Sequence, residues 1–486
     1  MIGQKLKIMV TSLVLVFLVH QLAEQSLRIN DKKSISIENY KGKFKSTSIS
    51  FGGLKSFNIE YRGDLEINDT DTDIIGISPG GFLEINKTTF GSKRSIVIEE
   101  KEGKLVKEYY EGRRMIDYVP DGEDWLADIL PEIVRSTGIA AESRLERYYK
   151  KGGVDAVMNE IARLESSYVQ SIYGQILLQK EELSDAELSR SIKELAREMD
   201  SDYYKSELLS DVNERFLKNN NLTLAFFEAA SYIDSDYYSA EILTDALENV
   251  EFTDAIFTKV MEATDNIGSD YYQAEVLEEA LEIPDLSDEA LSQIIQSTEG
   301  IGSDYYQAQV LSATMEKRGL SKKSFDRALE AIMNIDSDYY MAEVLEKMIN
   351  NELQDGVIQT LIVAIDRNMT SDYYKASVLS ELVQSQELTS TSMEKLAEAI
   401  GNMSSDSYAS EIIEEAADMR IIDNAVLISL SAAFSRFDSD YNCSEALESL
   451  ADHVREADSE VKDAYRRAAR NIGSTHYYGQ ALKAIN

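Results

Sequence analysis

Tyrosine and glutamate recur together in this 486-residue chain at a spacing that could build a recognition surface. Tyr203, Tyr237, Tyr271, Tyr305, Tyr339, Tyr373 and Tyr441 stand four residues before Glu207, Glu241, Glu275, Gln309, Glu343, Ser377 and Glu445. On a helix, a separation of four puts both side chains on one face. A phenol beside a carboxylate offers stacking area and negative charge together, which suits a basic peptide, an arginine-rich segment or a sugar. The competing reading is a Tyr that packs between adjacent units and hydrogen-bonds its hydroxyl to the neighbour.

Catalytic chemistry has less to build on. His453 and His476 are far apart, and Cys443, the single cysteine, excludes an intramolecular disulfide, a zinc finger and a disulfide-rich scaffold. Cys443 fills a slot that other copies usually give to Gln, Lys, Ser or Met, so it reads as a tolerated substitution. Asp69, Asp71 and Asp73 have the spacing of the first three ligands of a calcium loop, but Ile74 stands where Gly is required and Gly80 where Glu is. An acidic turn between strands accounts for them better. There is no glycine-rich phosphate loop, Gly-x-Ser-x-Gly elbow or His-Glu-x-x-His motif. A hydrolase working through a pair of carboxylates has only the acidic content behind it, and no metal or cofactor is expected.

The elements that position the tyrosines announce themselves by period. Ser-Asp opens units at Ser201, Ser235, Ser269, Ser303, Ser337, Ser371, Ser405 and Ser439, always 34 residues apart, with worn copies at Ser166-Ser167-Tyr168 and Ser474-Thr475-His476. Degenerate ends are what a stacked array needs for caps. Ser-Asp supplies an N-cap hydroxyl and a carboxylate at the positive end of a first helix. Eighteen residues on, Asn219, Thr253, Ser287, Ser321, Asp355, Thr389 and Asp423 mark the N-cap of a second helix. The second Tyr of each motif lies on the apolar stripe of the first helix. Two places beyond it stands a small residue in all eight units, from Ser206 and Ala240 to Ser444, where a neighbouring helix approaches closely.

Charge divides the chain. Up to Val119 there are 18 Lys+Arg and 16 Asp+Glu; from Pro120 onward there are 31 and 71, giving a net −38 overall. Such a polyanion repels phosphate backbones, so no nucleic-acid partner is expected. Residues 33–119 alternate with period two between glycine turns and read as a small antiparallel sheet domain. Lys5 and Lys7 precede an apolar run from Ile8 to Val19, too short to cross a bilayer comfortably. It fits an export signal or a short anchor over residues 8–23.

The expected organisation is therefore a signal peptide or signal anchor over 1–23, a β domain over 24–119, a helical linker and cap over 120–165, and repeats over 166–486. The fold class is mainly α: a right-handed α-solenoid of about ten 34-residue helix pairs after a small all-β domain. The pairs resemble a divergent HEAT-like or tetratricopeptide-like solenoid, without the Trp-x-x-Leu-Gly start. The sheet segment, the stretch Trp125-Leu126-Ala127-Asp128-Ile129-Leu130-Pro131 and the Ser-Asp-Tyr repeats are similar to extracytoplasmic regions of bacterial envelope proteins, some attached to membrane metallopeptidases of the antibiotic-sensing type. The resemblance implies a periplasmic or extracellular location, the inner membrane included, and carries no catalytic residues. The function expected is non-catalytic binding or assembly in the envelope, holding a protein or peptide partner on the acidic, Tyr-lined surface. The alternative is the sensory or regulatory ectodomain of a membrane-anchored signalling system.

Overall fold

A computed structural model describes residues 26–29, 33–40, 44–51, 55–89, 91–250, 252–317, 320–418 and 423–486. The export segment and any anchor within 8–23 lie outside the described residues. The chain divides into two compact units, one ending at Phe216 and the other spanning Leu217–Asn486.

In the first unit, strands β1 (Ser26–Ile29), β2 (Lys33–Tyr40), β3 (Phe44–Phe51), β4 (Lys55–Arg62), β7 (Phe82–Thr89), β8 (Ser92–Lys101), β9 (Lys104–Glu111) and β10 (Arg114–Ile116) form one antiparallel sheet. They pair in chain order, a meander interrupted only by the separate ribbon of β5 (Leu65–Ile67) and β6 (Ile74–Ile77). Alternation fixes the register. Ile59 faces Ile85, Ile85 faces Ile96 and Ile96 faces Tyr109 across four strands, all of them buried. A one-residue slip would turn this row to solvent. The β8–β9 turn places Glu102 and Gly103 at φ 52° and 81°, the left-handed pair that a two-residue hairpin needs.

The sheet does not close its core alone. Helix Glu123–Thr137 lays Trp125, Leu126, Ile129, Leu130, Ile133 and Val134 onto it, with Trp125 5.6 Å from the Tyr109 ring. Charge thus changes at Pro120, but compactness does not, because the first acidic helix belongs to the sheet's core. Helices Ala141–Ile161, Ser167–Leu178, Asp185–Glu198 and Asp202–Phe216 complete the unit.

The second unit is the helical repeat. Its first helices are Asp236–Asn249, Asp270–Leu281, Asp304–Met315, Asp338–Ile349, Asp372–Ser385, Asp406–Ala417 and Asp440–Glu456, closed by Thr475–Ala484. Its second helices are Asn220–Ala230, Asp254–Thr264, Asp288–Ser297, Lys322–Ile332, Asp355–Asn368, Ser390–Gly401, Asn424–Ala433 and Ser459–Ala469. First helices pack on first helices and second on second, so two layers enclose a shared apolar core. The small residues Ala240, Ala274, Ala308, Ala342, Ala376, Ser410 and Ser444 are all buried where the first helices meet.

The capping chemistry differs from the expectation in a way that reveals how the units join. Six of the seven predicted second-helix caps are N-caps whose side chains accept backbone N–H bonds: Asn219, Thr253, Ser287, Ser321, Thr389 and Asp423. Asp355 is not a cap. It is the first helical residue after Gln354, and its carboxylate instead accepts from Thr389 and Ser392, 2.8 and 2.6 Å away at the start of the next second helix. Asp288 reaches Ser321 and Ser324 in the same manner.

The Ser of Ser-Asp is also corrected. Ser235, Ser269, Ser303, Ser337, Ser371 and Ser405 occupy the N-cap position, yet their side chains accept no capping bond; Ser439 alone in this series does. The Asp does the joining. Asp236 and Asp270 accept the backbone N–H of Gly268 and Gly302; Asp304 accepts those of Asp336 and Ser337, and Asp338 those of Thr370 and Ser371. Asp372, Asp406 and Asp440 accept those of Ser404 and Ser405, Asp438 and Ser439, and Gly473 and Ser474. Each carboxylate stands at one helix start and ties down the loop that enters the next. In the worn first copy, Ser167 occupies the Asp place and accepts from Asp200 and Ser201.

The two residues of the motif should therefore separate on mutation. Asp338→Ala leaves two backbone donors without their acceptor and is expected to lower stability by about 1 to 3 kcal/mol. Ser337→Ala, with no side-chain cap to lose, should cost less than about 0.5 kcal/mol, well under the ~1 kcal/mol of an ordinary N-cap. Urea unfolding of both variants checks this, and equal losses would refute the assignment.

Candidate functional site

The first Tyr of each repeat lies one position off the buried stripe of its helix, directly after the Asp that joins repeats. Its ring is both packed and open. Tyr237, Tyr271, Tyr305, Tyr339, Tyr373 and Tyr441 keep 44 to 56% of their surface exposed. Each of the first five meets its own second Tyr edge-on at 5.0 to 5.1 Å and the second Tyr of the following repeat at 5.9 Å. The rings thus form an unbroken zigzag from Tyr238 to Tyr408, with half-buried tyrosines below and half-exposed ones above. Edge-to-face pairs contribute about 0.5 to 1.5 kcal/mol beyond the area they bury. Among the described residues no hydrogen bond engages the hydroxyls of Tyr271, Tyr305, Tyr339 or Tyr373. The inter-repeat contact is one of rings, not of hydroxyls.

The row has an end. Ser407 replaces the first Tyr and Asn442 the next second Tyr, so Tyr441 is separated from the run and pairs onward with Tyr477 at 5.8 Å. Tyr203 belongs to the first unit, where it is half-buried against Tyr204 at 5.0 Å. Tyr168 of the worn copy meets Tyr204 at 5.6 Å in the same arrangement.

The partner carboxylates stand where the four-residue spacing puts them. Glu207, Glu241, Glu275 and Glu343 are exposed. Burial, then repulsion from Glu278 and Glu279, pushes the Glu275 carboxyl above its usual range. Glu279 is raised by burial, Glu248 and Glu282, and Glu414 by burial, Glu445 and Glu411. Chiefly through Glu275, the Tyr271 phenol is raised as well. The face carrying the tyrosines therefore holds more negative charge than its own geometry favours.

No family model and no curated protein matches this chain. Three solved structures are similar to parts of it: a designed self-assembling cyclic homooligomer (16% identity over 58% of this chain and 91% of that one, TM-score 0.12), the exomer cargo adaptor complex (10%, 90% and 82%, 0.18) and a circular tandem repeat protein with novel repeat topology (12%, 76% and 85%, 0.14). At these TM-scores the likeness carries no argument about this chain.

The remaining reactive groups are occupied otherwise. Asp71 is the centre of a buried ion network that the sequence does not disclose. Arg144, fully buried, donates to its two carboxylate oxygens at 3.1 and 2.8 Å, to Glu160 at 2.7 Å and to the Tyr173 hydroxyl. Arg147 also grips Asp71, and Arg135 pairs with Glu160 at 2.9 Å. Burial alone would push Asp71 up; the bonds from Arg144 and Arg147 hold it below the usual carboxylate range. Asp73 pairs with Lys107 and Asp69 with Lys151. Each acid of the calcium-like triplet is thus neutralised by its own cation.

His453 contacts the Ala417 carbonyl oxygen at 2.8 Å, and His476 packs against Tyr477. Buried Cys443 has its thiol pushed up to about 12 by burial, Asp406 and Asp440, so it stays protonated at neutral pH. An open hollow of about 430 Å³ is lined by Asp265, Ile267, Gln273, Ser297 and Glu299 among others. Among the described residues no cluster of three or more His, Cys, Asp or Glu could hold a metal, and no helix is long and apolar enough to cross a membrane.

Arg144→Met leaves Asp71 and Glu160 buried without their shared cation and is expected to destabilise the first unit by about 3 to 5 kcal/mol; adding Glu160→Gln should recover part of the loss in denaturant titration. Stability should also peak in mild acid. Glu275, Glu279 and Glu414 titrate above the ordinary 4.5, so folding penalises their ionised forms at neutral pH, and protonation on the way down relieves the penalty. Despite its burial Asp288 is held below 3.8 by Ser324 and Ser321, and Asp355 is held there chiefly by Ser392. Their contributions are complete above that value and are lost as pH falls through their folded values. The thermal midpoint is expected to rise from pH 7 to about pH 5 and to fall below about pH 4; a steady decline from pH 7 would contradict the raised carboxylates.

Proposed function

We propose that this protein is a non-catalytic binding scaffold whose repeats hold a cationic peptide segment of a protein partner against the tyrosine row. One observation carries the reading: five consecutive repeats present a half-exposed phenol on the same edge, and Tyr237, Tyr271 and Tyr339 each have a carboxylate one helical turn away. Singly exposed aromatics are ordinary on a protein surface, but a contiguous row is not. A ring face attracts a guanidinium or ammonium by its quadrupole, and a neighbouring carboxylate completes the site. Stacked helix pairs repeat such a site at fixed intervals, which is how solenoids bind extended partners. The apolar run from Ile8 to Val19 supports a place outside the cytoplasm, in the bacterial envelope.

An octa-arginine peptide is the simplest probe. Binding to the full chain is expected to weaken several-fold between about 50 and about 200 mM salt, since exposed charges are screened within ~8 to 10 Å. The double variant Glu275→Gln with Glu343→Gln should weaken it further and flatten the salt dependence, both read by fluorescence anisotropy. Binding insensitive to salt and to both substitutions would overturn the reading.

A further inference from the structure

The row has a spacing as well as a chemistry. Tyr305 reaches Tyr340 in one step of 5.9 Å and Tyr340 reaches Tyr339 in a second of 5.0 Å, so consecutive exposed rings lie less than about 11 Å apart. Neighbouring helix axes stand ~8 to 10 Å apart, which places the repeat of the row near 10 Å. The same two steps recur from Tyr237 to Tyr373.

An extended partner can match that interval in few ways. A β-strand returns a side chain to the same face every ~6.6 to 6.8 Å, and three of its residues, ~10 Å, bring the side chain to the opposite face. It falls out of step after one repeat. A polyproline II helix rises ~3.1 Å per residue with three residues per turn, so it presents the same face every ~9.3 Å. An α-helix comes back every seven residues, ~10.5 Å, but it docks through aliphatic anchors in an apolar groove. Among the described residues of 217–486, the exposed large apolar side chains are the six tyrosines alone. An α-helix also uses its carbonyls internally, whereas polyproline II has no internal hydrogen bonds and leaves its carbonyls as acceptors. The unengaged hydroxyls of Tyr271, Tyr305, Tyr339 and Tyr373 are donors of the complementary kind.

Resting on the binding reading above, we infer that the partner segment is a polyproline II helix bearing a cation at every third residue, one turn per helix pair. Its prolines lie between successive tyrosines, its carbonyls accept from their hydroxyls, and its cations face Glu241, Glu275 and Glu343. Gln309 and Ser377 stand in the carboxylate place of the Tyr305 and Tyr373 repeats, so those two turns bind by ring and hydroxyl alone. The run stops at Ser407, which sets its length at five turns.

The test compares peptides that carry five arginines each. Five Pro-Pro-Arg triplets are titrated into the full chain beside a scrambled peptide with its arginines at irregular spacing, and beside a helical peptide with arginine every seventh residue. The triplet peptide is expected to bind at least about tenfold tighter than either, with affinity rising for each added triplet to five and levelling off thereafter. Tyr305→Phe with Tyr339→Phe keeps the ring zigzag and removes two donors; it should weaken the triplet peptide severalfold, and by a larger factor than it weakens octa-arginine. Circular dichroism before and after the substitutions reports whether the fold is retained. Equal binding of triplet and scrambled peptides would overturn the inference while leaving the cationic-partner reading intact. Tighter binding of the helical peptide would replace polyproline II by an α-helix. Failure of every arginine peptide, octa-arginine included, would overturn both readings.

Discussion

The carboxylate at the second position of each repeat is the constraint from which the rest of the second unit follows. Asp304 belongs to one helix by sequence and to the next by hydrogen bonding, because it accepts the backbone N–H groups of Asp336 and Ser337 across the boundary between pairs. Loop N–H groups at a helix entrance have no intrahelical partner. Satisfying them from the preceding repeat, not from the local serine, couples each helix start to its neighbour. Charge-assisted bonds of this type contribute about 1.5 to 3 kcal/mol. Their geometry also sets the offset between repeats, and a fixed offset is what lets ring meet ring at 5.9 Å five times over.

That coupling has an electrostatic consequence. Regular stacking sets a position of one first helix beside the position 31 residues further on in the next, so an acidic residue on the exposed face meets another acid from the adjacent repeat. Glu279 feels Glu248, and Glu414 feels Glu445, each across a repeat boundary. The interior offers little to compensate, since the one buried cation among the described residues of the second unit, Lys375, is already paired with Asp366. Departures from local optimality of this kind concentrate where a protein binds something else. The carboxylates that join repeats are different. Asp355 is held below its usual range by its hydroxyl donors, so the same residue class does opposite work on different faces.

Legibility followed range. The period, the helix pairs, the small buried residue and six second-helix caps are encoded within a few residues of each other, and periodicity displays them. The tyrosine row was visible for the same reason, since i and i+4 fix one face of a helix. Interactions spanning about 34 residues or more were not. Asp at eight of eight motif positions exceeds what a helix dipole requires, and that invariance was the available signal for an inter-repeat bond. Asp355 misled because an aspartate fits an N-cap and a first-turn position equally well by type. The Arg144 network joins residues more than seventy positions apart, and nothing local in Asp71 distinguishes it from Asp69, which is exposed and paired with Lys151.

Between the two explanations of the tyrosines, packing or binding, the geometry removes the contradiction. A ring held edge-on between two others loses little conformational freedom when a ligand arrives, because its rotamer is already restricted by its neighbours. The packing that orders Tyr305 is therefore what makes its exposed half useful for recognition. A lone surface tyrosine would have to be ordered at the moment of binding; a tyrosine in this zigzag is ordered by folding. Each site contributes modestly, and the array gains by repetition, since every added turn of a linked partner binds from a high effective concentration. Affinity on such a surface is set by how many repeats keep the pattern, and the substitution of Ser407 for tyrosine marks where this one stops.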